Sequence, residues 1–460
     1  MSPAATTTPE NPGGTTEGPE GDPEQAASSD SAIATGIRRM RHDLTMPRIR
    51  AIHGVGLALA VACAAMATAL TRTQSLDGLF DSDALYRMDL LVEDEGWDTL
   101  KSMFREDDYY VADLRWNGVE VRRVGIRSRG LGSRNGRKPG LRVDMNRYTP
   151  GQTFLGLDSI VLDNLTQDGS GIRERIAMRF YERMGLPAPR EAHVRLYVNN
   201  RYAGLYAVVE SIDNEFLTRT FGEDAGYLFE YEWTDVWPLT YRGPDFEAYT
   251  TLLDPVTHED DPAGELYAPV AAMLRAINES PDAEFESSVG RYLDLPLFMR
   301  HVAAQNFLAQ WDGVAGYAGV NNFYLYRFED SDRSQFILWD EDNAFRAPDF
   351  SILEGHDQNV LLRRAMAVPR LRQVYFDALL EAAGLASEPV TSRGAGWLEH
   401  EIREQHRLID ESMREDTFRP FTSGEFDAGV QQMLDFARFR PAFVREQVAR
   451  LVSPGGGAPR

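Results

Sequence analysis

Apolar side chains recur at every second position through much of the first half of this 460-residue chain, and at every third or fourth through the second. A strand sends successive side chains to opposite faces, whereas a helix returns to one face after about 3.6 residues. The two periods therefore demand two kinds of element, in that order along the chain. In "VADLRWNGVEVRRVGIRSRG" two alternating runs flank Asn117-Gly118, a pair suited to a type I′ hairpin turn. "AHVRLYVNNRYAGLYAVVES" reads as a second hairpin turning at Asn199-Asn200, and "KPGLRVDM" and "SIVLDNL" as further strands. Residues 169–185 have helical spacing at Ile172, Ile176, Met178 and Phe180, with Gly185 as a C-cap.

Beyond about residue 260, "GELYAPVAAMLRAIN", "LPLFMRHVAAQNFLAQW", "VPRLRQVYFDALLEAAG", "GWLEHEIREQHRLIDESM" and "FDAGVQQMLDFARFRPAFVREQVARL" read as amphipathic helices. Two strand-like runs, "NNFYLYRF" and "SQFILWDED", interrupt them. The expected class is α+β. A strand-rich lobe over residues 80–235 and a helix-rich lobe over 236–453 would leave a cleft between them, a common ligand site.

The N-terminus differs in kind. Residues 1–47 form a Pro-, Gly- and acid-rich tail with a basic end, too poor in large apolar side chains to offset chain entropy. Residues 51–70, "AIHGVGLALAVACAAMATAL", carry no charge and are long enough to span a bilayer. Arg38, Arg39, Arg41, Arg48 and Arg50 precede them, which would hold the N-terminus in the cytoplasm and place the bulk outside. Read instead from Met46, the stretch resembles a secretory signal, and the bulk would be secreted. The expected transmembrane or signal segment covers residues 48–71.

Charge narrows the partners. With 71 acidic against 48 basic residues the formal charge is -23, which disfavours nucleic acid and favours a cation or a basic protein. The single cysteine, Cys63, excludes an intrachain disulfide and a cysteine-rich zinc site. Only Lys101 and Lys138 are lysines; the other basic residues are arginines. A compact ammonium in such a chain marks a place where arginine's planar fork does not serve.

The chemistry gathers at three places. In "FILWDEDNAF", residues 336–345, carboxylates come straight off an apolar strand. Asp340 and Asp342 lie two apart, on one face of a continuing strand, and clustered buried acids repel unless a cation or protons compensate. A hard divalent ion, Mg²⁺ or Mn²⁺, satisfies them. Asp312, in "LAQWDGVAGYAGVNNFYLY", sits on a loop after an apolar helix, with Asn321 and Asn322 supplying further oxygens. In "GIRSRGLGSRNGRKPG", Arg127 and Arg129 alternate along a strand into a glycine-rich loop ahead of Lys138, a set suited to phosphate oxygens. There is no Walker A lysine and no HRD or DFG signature. The order is nevertheless that of phosphoryl transfer: loop, lysine, a helix carrying Glu174, a lone aspartate, a metal-type aspartate.

These stretches, with "RGLGSRNGRKPGLRVDM", "LDNLTQDGSGIRERIAMRFYERMGLPAPREAHVRLYVNNRYAGLYAVVESID", "NFLAQWDGVAGYAGVNNFYLY" and "ILWDEDNAF", resemble the CotH kinase family over roughly residues 85–350. The resemblance implies a distant, atypical, two-lobed kinase-like fold and transfer of phosphate from ATP to serines of partner proteins. It implies Lys138 as a phosphate-contacting lysine paired to Glu174, with Asp312 as the acid that orients or deprotonates the hydroxyl. Asp340 would be the main Mg²⁺ ligand, with Asp342 and Asn322 beside it. Asn164, Asp168, Ser170 and Arg173 are expected to form a turn and cap ahead of a helix, and Glu210 to be structural. Glu230 departs from the family pattern, where a basic residue is usual.

The expected activity is thus an ATP- and Mg²⁺-dependent kinase acting on a basic, serine-containing protein. The alternative is a non-enzymatic surface or spore-coat assembly protein with a structural cation site. A carboxylate-pair glycoside hydrolase would leave Lys138 and the arginine loop unexplained.

Overall fold

The computed structural model describes residues 74–81, 83–317, 319–390 and 394–453. The expected tail, and the membrane or signal segment at 51–70, lie outside these residues. Among the described residues no helix is long and apolar enough to cross a membrane.

Seven strands close into a barrel: β1 (Tyr86–Val92), β2 (Tyr110–Trp116), β3 (Val119–Arg129), β4 (Gly140–Asp144), β5 (Ser159–Asp163), β6 (Glu191–Val198) and β7 (Arg201–Glu210). Their order around the wall is β1-β2-β3-β4-β5-β7-β6. Neighbours are antiparallel except at the seam, where β1 runs parallel to β6 with Tyr86 opposite Val194 and Leu90 opposite Val198. Both expected hairpin turns form. Asn117 and Gly118 have φ 46° and 83°, Asn199 and Asn200 φ 51° and 62°, the left-handed values of a type I′ turn.

Alternation fills the barrel. Met88, Leu90, Leu114, Trp116, Ile126 and Val143 all point inward and are buried, with Trp116 edge-on to Tyr86 and Phe154 at 5.4 and 6.0 Å. β5 and β7 are buried on both faces, which explains their unbroken apolar runs. Ile160, Leu162, Tyr206 and Val208 face the interior, while Val161, Leu205, Ala207 and Val209 face a second, larger core.

That second core joins the barrel to the rest. Helix α1 (Asp94–Ser102) lies beside the barrel, α2 (Arg173–Arg183) follows β5, and α3 (Asn214–Phe221) follows β7. The α2 stripe Ile176, Ala177, Phe180 and Met184 packs into the larger core, and Phe180 stacks on Phe307 at 5.2 Å. Gly185 takes φ 69° just past α2, and the Leu186 N–H reaches back to the Tyr181 carbonyl, as a Schellman end requires. A four-stranded sheet, β11-β10-β8-β9, is built from β8 (Tyr227–Tyr231), β9 (Leu253–Pro255), β10 (Phe323–Arg327) and β11 (Ser334–Leu338). Around it lie α4 (Ala263–Glu279), α5 (Leu295–Phe307), α6 (Val360–Ala367), α7 (Pro369–Ala386), α8 (Trp397–Glu415) and α9 (Ser423–Val452).

This corrects the expected two-lobed kinase-like fold. The strand-rich half is a closed barrel. One continuous core runs from Val161 on its wall to Val448 in α9. The second sheet pairs β8 with β10 across the expected lobe boundary, Tyr324 opposite Glu230. Closure was hidden because it rests on β1 meeting β6, and local alternation carries no information about which distant strand completes a sheet.

Candidate functional site

Acids from five elements meet at one end of the barrel. Asp163 ends β5, Asp168 lies in the loop that follows, Glu174 is in the first turn of α2, Glu191 opens β6, and Asp342 follows β11. These residues, with Leu165, Gly171 and Arg173, line a cavity of about 10 Å³, room for roughly one water or bare cation. Glu174 is held well above the usual carboxylate range, first by burial and then by Glu191, Asp340, Asp163 and Asp342. Its carboxylate has no hydrogen bond or ion pair among the described residues. Glu191 is pushed up to about 8 by burial, against the pull of Arg175, and its Oε2 has no hydrogen-bond partner.

The aspartates after β11 are the centre of this field. Their carboxyl groups are within hydrogen-bonding reach of one another, and burial raises both, so the pair holds a proton to higher pH than solvated aspartates do. They do not share a face because the strand continues. β11 ends at Leu338, and Asp340 takes φ 54°, turning the chain. Glu341 between them turns the other way into the core, where Gln305 donates to its Oε1 at 2.9 Å. Burial pushes Glu341 up to about 8.

Asp312 is tied to the same loop. Its backbone N–H donates to Gln310 Oε1 at 3.1 Å, and Gln310 Nε2 donates to the Asp340 carbonyl at 3.1 Å. Asn321 donates to the Asp312 carboxylate at 3.2 Å and Asn322 to its carbonyl at 3.0 Å. Asn322 also has φ 54°, and its carbonyl accepts the Trp339 N–H. Non-glycine residues hold such values only where the surroundings dictate them, as these crossed hydrogen bonds do. Burial raises the Asp312 carboxyl, Asn321 opposes the rise, and its charge reaches Asp340.

The basic residues separate. Arg129 stacks over Trp339 at 5.6 Å and lowers Asp340 electrostatically. It has no hydrogen bond or ion pair through its side chain among the described residues. Arg127 is occupied: it pairs with Asp107 at 2.9 Å and donates to the Tyr109 hydroxyl.

The expected Lys138–Glu174 pair does not form. Lys138 precedes β4, and its ammonium, 1% exposed, pairs with Asp416 at 2.7 Å and donates to the Leu205 carbonyl at 2.8 Å. Asp416, just past α8, also accepts the Leu205 and Phe418 N–H groups. Gly204 takes φ 130° here, and a Cβ on it would fall 2.6 Å from the Asp416 carboxylate. Glu174 instead faces the acids.

The motif residues ahead of α2 are built as a turn and cap. Asp168 accepts from the Ser170 hydroxyl and from the Ser170 and Arg173 N–H groups; Asn164 donates to the Ser133 and Lys138 carbonyls. Glu210, fully buried, is clamped by Arg190 and Arg219. Glu230 lies opposite Tyr324, and its charge helps raise that phenol.

Among the described residues no three carboxylates, imidazoles or thiols converge as a ready-made metal cage. The Asp340–Asp342 pair and the Oδ1 of Asn322, which accepts no hydrogen bond among the described residues, still fit a hard cation, with the charge of Glu174 behind them. Mg²⁺ is commonly held by one or two carboxylates, with phosphates and waters completing its shell. Asp163, Glu191 and Asp416 were missed at the sequence level. Asp163 carries the same signal as Asp340, an acid straight off an apolar strand; Asp416 carries none.

The candidate site is thus an acid-lined cavity with a loop aspartate tied to it and an arginine that has no ion pair among the described residues, on a barrel with appended helices. The description CotH kinase protein matches residues 126–444, and the chain belongs to this family. Inner spore coat protein H of Bacillus subtilis is 25% identical over 301 residues, 62% of this chain and 78% of the relative. Invasin CotH3 of Rhizopus delemar is 25% identical over 187 residues, 39% of this chain and 30% of the relative.

Two outcomes are expected. Lys138→Met leaves Asp416 buried without its cation and should cost about 3–5 kcal/mol in denaturant unfolding; unchanged stability would mean that the pair does not hold the barrel to α8. For Glu341, the unfolded carboxyl titrates near 4.5 and the folded one near 8. Between those values the folded state binds the extra proton, so stability falls as pH rises, by at most about 1.4 kcal/mol per unit. Glu341→Gln should flatten melting temperature against pH in that window, and superimposable curves would place an ionised Glu341 in the fold.

Proposed function

We propose that this protein is a phosphotransferase that uses ATP and a divalent cation to phosphorylate a serine-type hydroxyl of a protein. The observation that carries the reading is the crossed hydrogen bonding of two loops, which holds Asp312 beside the Asp340–Asp342 pair. In this reading Asp340 and Asp342, with Asn322, hold the cation, and Glu174 adds charge behind them. When bound, Mg²⁺ neutralises charge on the transferring phosphate. Arg129, over Trp339 and without an ion pair among the described residues, is placed for phosphate oxygens. Arg127 and Lys138 act from behind, by fixing β3 and the loop ahead of β4.

Asp312 orients the acceptor hydroxyl and takes its proton as the oxygen attacks the γ-phosphorus. The bond from that phosphorus to the β–γ bridging oxygen breaks, and ADP leaves. Burial raises Asp312 and makes it a better base than a solvated aspartate. The acidic surface suits a basic substrate. The relative named as a spore coat protein supports work at the cell or spore surface.

A second reading, a non-enzymatic coat-assembly protein with a structural cation site, is favoured by one observation. The ammonium of Lys138 is fully engaged by Asp416 and Leu205.

The full chain incubated with γ-labelled ATP, Mg²⁺ or Mn²⁺ and a basic serine-rich protein should label that protein. Asp312→Asn should lose about 10²–10⁴ of the rate while keeping stabilisation by Mg²⁺-ATP, about 2.7 kcal/mol at a hundred times the dissociation constant. Asp340→Asn should lose both. Neither labelling nor a stability shift at millimolar nucleotide would leave the coat-assembly reading in place.

A further inference from the structure

A second, larger cavity of about 560 Å³ opens on the other side of Glu191. It lies within the roughly 300–1,000 Å³ usual for small-molecule sites. One face of α2 (Arg175, Met178, Arg179 and Glu182), the chain from Gly185 to Glu191, and Phe80 form its walls. Part of that wall is apolar: Phe80, Met178, Leu186 and Pro187.

Most of the arginines along this groove are already committed. Arg179 pairs with Glu401 at 3.1 Å; Arg190 and Arg219 both pair with Glu210, at 2.8 and 2.7 Å. Arg175 is different. It is only 5% exposed, its Nε has no hydrogen-bond partner, and it forms no ion pair or side-chain hydrogen bond among the described residues. Glu191 is its nearest electrostatic counterpart, yet the two do not approach to ion-pair distance. Burial pulls the Arg175 guanidinium down to about 10, against the charges of Glu191, Glu401 and Glu182. A desolvated cation without a partner is a standing cost to the fold, of a kind structural arginines avoid by pairing. Such a group is explained if a partner arrives from outside, and a guanidinium matches the two oxygens of a carboxylate or phosphate.

We propose that this groove is a binding site for an organic oxyanion, a carboxylate or phosphate carried on a partly apolar body, with Arg175 as its anchor. The anionic head lies against Arg175 at the α2 wall, and the apolar body packs on Met178, Leu186 and Phe80. The site stands apart from the candidate catalytic cavity, with Glu191 as the wall between them, and it does not depend on the phosphotransferase reading.

Phenyl phosphate and benzoate serve as probes at constant ionic strength, the two arms separating a phosphate from a carboxylate preference. At least one should raise the melting temperature of the full chain by a few degrees, and Arg175→Met should weaken its binding by tenfold or more. Without probe, Arg175→Met should be at least as stable as the parent, because it replaces a buried charge that has no ion pair among the described residues with an unbranched apolar chain. Three results overturn the proposal: no shift with either probe, an equal shift in the variant, or a variant less stable than the parent, which would make Arg175 structural. A crystal soaked in 4-bromophenyl phosphate gives an independent reading. An anomalous bromine peak in the groove with the phosphate on Arg175 is expected, and an empty groove refutes the site.

Discussion

The parallel pairing of β1 with β6 is the constraint on which this architecture rests. It closes a sheet that would otherwise expose two edges, and it joins strands separated by most of the barrel sequence. Closure sets the tilt and spacing of the other strands. Within the closed wall β7 lies between β5 and β6 and pairs with both, which brings the end of β5, with Asp163, near the start of β6, with Glu191.

The electrostatics follow from this placement. Burial raises Glu174, Glu191, Asp340 and Asp342 together, and the charge of Asp163 adds to the rise of each. Arg173 reaches Asp168 and the Asp342 carbonyl, and Arg129 touches the field from the Trp339 side. A cluster of this kind is unfavourable for the fold alone and becomes favourable with a cation. The opposite solution appears a short way along the barrel. There Lys138 and Asp416 neutralise one another completely in the interior, with backbone groups of Leu205 taking up their remaining capacity. The two sites use the same currency of buried charge, one left open and one closed.

Much of the site could be read in advance, and the reasons are local. Acids directly after apolar strands, asparagines before a strand and aspartate ahead of a helix all follow from short-range stereochemistry. Asp312, Asp340, Asp342 and Asn322 stand out in the chain on these grounds, and the two loops that carry them are bonded together through Gln310 and Asn322. The lysine was singled out by its rarity, but its partner was misassigned. Glu174 is close to it in sequence; Asp416 lies far along the chain, beyond the reach of any periodicity. The expected division into two lobes failed for a related reason, since β5 and β7 pack on both faces and carry one core from the barrel into the helices.

The sequence by itself determined where strands give way to helices, which turns take left-handed residues, and which carboxylates emerge from buried segments. Those properties depend on neighbours within a few residues, where backbone geometry and side-chain period act directly. Only the tertiary structure decided that the strands close on themselves, that Lys138 meets Asp416, and that Arg175 is buried without an ion pair among the described residues. Each of these depends on which distant surfaces exclude water together, and that choice is made by the whole core at once.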